Sequence, residues 1–168
     1  MRKDHVEAAR WYRRAADLVN AEAMISLGLC YDSGEGVAQD YAQAAYWYRK
    51  AAELGDATAM FNLAVCYADG EGVPQDLAEA ARWYRKAAEL GNSHVRGHVK
   101  PRLAACYENG QGVAQDQAEA DRWYRKADRK ADEKSPEHWR AWRRRDLDEA
   151  LRHARHADAV STRRNRRD

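Results

Sequence analysis

The sequence predicts an all-α solenoid, and three observations carry that prediction. First, 33 of the 168 residues are Ala and only one is Phe. Ala costs least in a helix, so the composition favours close-packed helices over a core of large β-branched residues. Second, short motifs recur. Trp-Tyr stands at Trp11-Tyr12, Trp47-Tyr48, Trp83-Tyr84 and Trp123-Tyr124, with spacings of 36, 36 and 40. Cys-Tyr stands at Cys30-Tyr31, Cys66-Tyr67 and Cys106-Tyr107, and Gly-x-Gly-Val-x-Gln-Asp at 34–40, 70–76 and 110–116. Third, residues 5–40 and 41–76 agree at 20 of 36 positions without a gap. A fixed period of that length means stacked units, each burying its apolar face against its neighbours.

The elements follow in order. Residues 4–18 read as a long N-terminal helix, opened by Asp4 and Glu7 in a capping-box arrangement. No short helix precedes it, which suggests a fragment of a longer array. Repeat 1 spans 20–54, repeat 2 spans 56–90 and repeat 3 spans 92–131. Within each, a short and a long helix are expected. The long helix at Asp40–Leu54 has Asp40 as N-cap, Ala44, Trp47, Tyr48, Ala51 and Ala52 on one stripe, and Gly55 as terminator. The short helix runs from about Asp56 to Asp69, with Met60, Leu63, Ala64 and Tyr67 on its buried stripe. Gly28, Ala64 and Ala104 share one position, where small residues let helices approach closely. Repeat 3 carries four extra residues within 93–100, followed by Pro101. Proline suits a helix's first turn, so the third short helix is expected to start late, behind an enlarged loop. Residues 135–160 read as degenerate capping helices opened by Ser135-Pro136, and 161–168 as a disordered basic tail.

The pattern Leu-Gly-x-x-Tyr-x-x-Gly-x-Gly-Val-x-x-Asp-x-x-x-Ala-x-x-Trp-Tyr-x-Lys-Ala-Ala-x-x-Gly resembles the Sel1-like repeat, a relative of the tetratricopeptide repeat, over roughly residues 4–131. The sequence departs from it where Leu-Gly becomes Leu-Ala at Leu63 and Leu103, and where Val19 replaces the expected Gly. The resemblance implies a right-handed solenoid whose short helices line a concave side. It also implies a non-enzymatic scaffold or adaptor that binds a peptide or protein there.

The remaining chemistry is thin. Cys30, Cys66 and Cys106 occupy one repeat position. That places successive thiols about 10 Å apart or more, too far to pair, so they read as small apolar residues of a reducing compartment. No apolar signal segment opens the chain and no run reaches the roughly 18 apolar residues of a membrane span, so a cytoplasmic location is expected. His94 and His98 lie four apart without a third ligand; no metal, cofactor or catalytic constellation is expected. Residues 1–84 carry a net charge of −5 and 85–168 a net of +7. The basic half offers a nucleic-acid or anionic-surface alternative through Arg140, Arg143, Arg144 and Arg145, interleaved with Trp139 and Trp142. Self-association through the unpartnered first helix is a third possibility.

The favoured site is the short-helix face. On the concave side that the resemblance implies, residues two before and two after Leu27, Leu63 and Leu103 look into the groove. They are Ile25 and Leu29, Phe61 and Val65, and Pro101 and Ala105. One turn further on lie Asp32, Asp69 and Asn109. The expectation is an exposed apolar strip rimmed by acid, suited to a peptide with apolar anchors and some basic residues.

Overall fold

A computed structural model describes residues 3–91 and 93–127, and every regular element among them is an α-helix. Seven helices run in order: α1 (Lys3–Asp17), α2 (Ala21–Ser33), α3 (Tyr41–Glu53), α4 (Ala57–Asp69), α5 (Leu77–Leu90), α6 (Ser93–Asn109) and α7 (Gln117–Ala127). Each packs on the next, and α4 also meets α6, so alternate helices stack as a solenoid requires. The expected contrast of long and short helices is absent: α3 and α4 both have 13 residues.

Side-chain caps set the helix starts. The carboxylate of Asp40 accepts from the Gln43 N–H, and those of Asp56 and Asp76 each accept from two first-turn N–H groups. The buried stripes are apolar throughout. Leu27, Leu63 and Leu103 are fully buried, each worth about 1.5–3 kcal/mol of transfer from water. Ala44, Trp47, Tyr48, Ala51 and Ala52 face inward from α3 as the spacing predicted.

The recurring Gly-x-Gly-Val-x-Gln-Asp loop has a mechanical explanation. The Gln75 amide donates to the Ala68 carbonyl at 2.8 Å, and the Asp76 N–H donates to the Tyr67 carbonyl at 2.9 Å, tying the loop to the end of α4. Gln39 and Gln115 repeat the first contact. Gly72, at φ 72°, lies against the first turn of α3: a Cβ there would fall 2.0 Å from the Tyr41 carbonyl oxygen. Gly36 and Gly112 meet His5 and Leu77 in the same way. Each loop therefore touches the start of the long helix before it, in the preceding unit, and only glycine permits the approach. Arginine–tyrosine contacts also repeat: Arg13, Arg49 and Arg85 each donate to the hydroxyl of Tyr31, Tyr67 and Tyr107 respectively.

Two local features differ from expectation. Val19 takes the turn that Gly55 takes one unit later, at φ 63°, with the same pattern of backbone bonds back to the helix end. A β-branched residue in that region is strained. The larger difference is α6. It begins at Ser93 and has Pro101 in its interior, not at its first turn. Four residues add about one helical turn, so the insertion lengthens the helix and keeps its stripe in phase. Val95, Val99 and Leu103 are all buried at spacings of four. Proline normally clashes with the carbonyl four residues earlier. Here that residue is Gly97, which is exposed and has open space around it, so the backbone can give way toward water.

Candidate partner-binding face

The strip begins from the sealed leucines. A side chain two residues away on a helix points about 200° round, so the neighbours of Leu27, Leu63 and Leu103 face away from the core. Ile25, Phe61, Val65, Pro101 and Ala105 are half-buried, and Leu29 is 49% exposed. The polar members do not share a repeat position. Asp32 follows Leu27 by five residues, whereas Asp69 and Asn109 follow their leucines by six. Asp32 is half-buried; Asp69 and Asn109 are exposed.

Phe61 is the centre of a cluster spanning three helices. Its ring lies 6.0 Å from that of Tyr84 on α5 and 6.4 Å from that of His98 on α6. The Arg102 guanidinium stands 5.8 Å from the Phe61 ring centre, a cation–π distance. His98 stands where the preceding unit has Thr58, so an aromatic ring at that position is what meets Phe61. Sequence reasoning missed Tyr84, His98 and Arg102. The signal for Arg102 was present, since its equivalents are Ser26 and Asn62.

Acidic groups gather toward the C-terminal ends of α2 and α4. Burial, followed by the charges of Glu71 and Asp32, raises the Tyr41 phenol above its ordinary value. Burial, then Asp69 and Asp32, likewise raises Glu71. Burial alone raises Asp32. Helix C-termini add their own negative partial charge, so this end of the strip attracts cations.

The cysteines are free. Cys66 and Cys106 are buried and Cys30 is half-buried. Burial, with acidic neighbours second, pushes the Cys66 thiol up to about 11, the opposite of an activated nucleophile. Among the described residues no group of three or more His, Cys, Asp or Glu is placed to hold a metal ion. No helix among them is long and apolar enough to cross a membrane. The expected capping helices at 135–160, the tail at 161–168 and the alternative site Arg140, Arg143, Arg144 and Arg145 lie outside the described residues, as does the side chain of His94.

The comparisons fit this architecture. The Sel1 repeat pattern matches residues 1–20, 21–56, 57–92 and 102–127. A search of curated proteins finds no match. Among solved structures, a Sel1 repeat protein from Oxalobacter formigenes is 34% identical with a TM-score of 0.66, covering 73% of this chain and 49% of that one. A protective antigen present in uropathogenic Escherichia coli strains, displaying an SLR fold, is 45% identical with a TM-score of 0.66, covering 70% of this chain and 24% of that one. Helicobacter pylori cysteine rich protein B is 25% identical with a TM-score of 0.56, covering 77% of this chain and 92% of that one. The chain thus spans about half the length of the first of these relatives and a quarter of the second. With four matched segments over most of its length and the same helix-pair stacking, the chain belongs to the Sel1 repeat family.

Proposed function

We propose that the chain is a non-enzymatic scaffold that binds a peptide or protein segment along the outward face of α2, α4 and α6. Sel1 repeat proteins are generally protein-interaction scaffolds. The observation that carries the reading is the recurrence of partly exposed apolar side chains, Ile25, Leu29, Phe61 and Val65, at matching positions on alternate helices. Such a strip costs solubility and is relieved by a partner. Its acidic end at Asp32, Asp69 and Glu71 favours a partner that adds basic residues to apolar anchors. The face is preorganised by helix packing, so binding orders the partner and not the scaffold.

The test is affinity capture from host lysate with the parent chain and with a variant carrying Asp32→Lys, Asp69→Lys and Phe61→Ala. Partner recovery is expected to fall while helicity by circular dichroism stays intact. A folded variant that recovers the same partners in the same amounts refutes the assignment of this face.

A further inference from the structure

Tyr48, Tyr84 and Tyr124 occupy one repeat position and are 3%, 2% and 5% exposed. A phenol so deeply buried normally finds a hydrogen-bond partner. On α7 it does: the Tyr124 hydroxyl donates to Glu108 Oε2 at 3.0 Å. On α3 the residue equivalent to Glu108 is Asp32, whose charge is second only to burial in raising the Tyr48 phenol. On α5 the pattern breaks. The equivalent position is Ala68, whose methyl group accepts nothing, and the Tyr84 hydroxyl is buried with no hydrogen-bond partner.

A second change coincides with the first. Arg102 enters from α6 at the position held by Ser26 and Asn62 in the other units. It stands beside the Tyr84 phenol, partly offsetting the effect of burial, and over the Phe61 ring, without a hydrogen bond to the phenol of good geometry. Arg102 is exposed and carries no ion pair among the described residues. Around Tyr84 the acid of the equivalent places is therefore missing, and a cation from the following repeat stands nearby. Asp69 is the carboxylate that acts on Tyr84, and its effect is the smallest of those on that group.

An O–H donor and a guanidinium beside one another call for an anionic acceptor. The repeat itself shows which: the two equivalent places are filled by carboxylates. We propose that Tyr84, Arg102 and Phe61 form a subsite for a carboxylate side chain, Asp or Glu, of the bound peptide. The carboxylate accepts from the Tyr84 hydroxyl as Glu108 accepts from Tyr124, and takes a charge-assisted bond from Arg102. The Phe61 ring packs on the methylenes of the same residue. The peptide origin of this group rests on the proposed function, whereas its chemistry rests on Tyr84 and Arg102 alone.

The probe is propionate, which carries a glutamate side chain's carboxylate. The isotopically labelled full chain is titrated at constant ionic strength, following the Arg102 Nε–H resonance. A saturable shift is expected at Arg102. Tyr84→Phe should weaken it about tenfold, the effect of losing one hydrogen bond to a charged group. Ala68→Glu should abolish it by supplying an internal carboxylate, and Arg102→Gln, a change at an exposed site that spares the fold, should remove propionate-dependent shifts at the Tyr84 amide. A shift at Arg102 that is linear and equal to that at Arg122, or an Ala68→Glu variant that binds as the parent does, overturns the proposal. The two readings fail separately. Partner loss on Phe61→Ala without saturable propionate binding overturns the subsite alone; saturable binding with unchanged partner capture overturns the groove reading and leaves the subsite standing.

Discussion

Replacing Gly72 by Ala should sever one unit from the helix it leans on. Two costs add. The backbone at Gly72 has φ 72°, and an L side chain there costs about 1–2 kcal/mol. The new Cβ would also sit 2.0 Å from the Tyr41 carbonyl oxygen and 2.2 Å from its carbon, where 3.4 Å begins ordinary contact. The loop must withdraw from α3 by more than an ångström, and it is tied by the Gln75–Ala68 and Asp76–Tyr67 bonds. Straining those two bonds costs about 1 kcal/mol each. The sum is about 3–4 kcal/mol, a large share of the roughly 5–15 kcal/mol typical of a domain. Gly55→Ala is the internal control. Its φ is 91°, but nothing lies within 4 Å of its Cβ, so only the backbone cost of about 1–2 kcal/mol applies. Urea unfolding of the full chain, followed by circular dichroism, reads the difference as midpoints at a common slope. Equal midpoints for Gly72→Ala and Gly55→Ala would refute the steric argument.

Further outcomes follow from the same contacts. Val19→Gly should stabilise the chain by about 1 kcal/mol, because it relieves an αL valine that is 63% exposed; a lower melting temperature would contradict this. Tyr84→Phe should raise stability by about 1 kcal/mol by removing an unpaired buried hydroxyl, whereas Tyr124→Phe should lower it by a similar amount through loss of the bond to Glu108; changes of the same sign in both would sink the comparison. The Cys66 thiol is raised from 9.0 to about 11 in the folded chain, so the unfolded state loses its proton first. Its contribution to stability is full below pH 9.0 and is lost as pH climbs to about 11, and Cys66→Ala should flatten that part of an alkaline denaturation curve. At pH 8, half-buried Cys30 should react with a disulfide reagent before buried Cys66 and Cys106, and simultaneous reaction of all three would indicate looser packing.

The period, the caps and the buried stripes were legible in the sequence because each is a local code repeated several times. An Asp before an Ala-rich run, a Gly after it and apolar residues at helical spacing mean the same thing in every unit. Asp40, Asp56 and Asp76 cap as that code requires, and Leu27, Leu63 and Leu103 are sealed as their spacing demands. The face holding Ile25, Phe61 and Val65 was legible for the same reason, since it is the side opposite the stripe.

The exceptions were decided by tertiary contact. Whether Pro101 would open a helix or sit inside one depended on Val95 and Val99 finding a core to bury in, and on an exposed Gly97 giving way four residues earlier. Whether Phe61 stood alone or among Tyr84, His98 and Arg102 depended on how α5 and α6 packed against α4. The amino-acid order by itself determined that units of about three dozen residues would pair helices and stack. Only the stacked structure decided which unit departs from its neighbours, because a missing acceptor at Ala68 has no consequence until the Tyr84 hydroxyl is buried beside it.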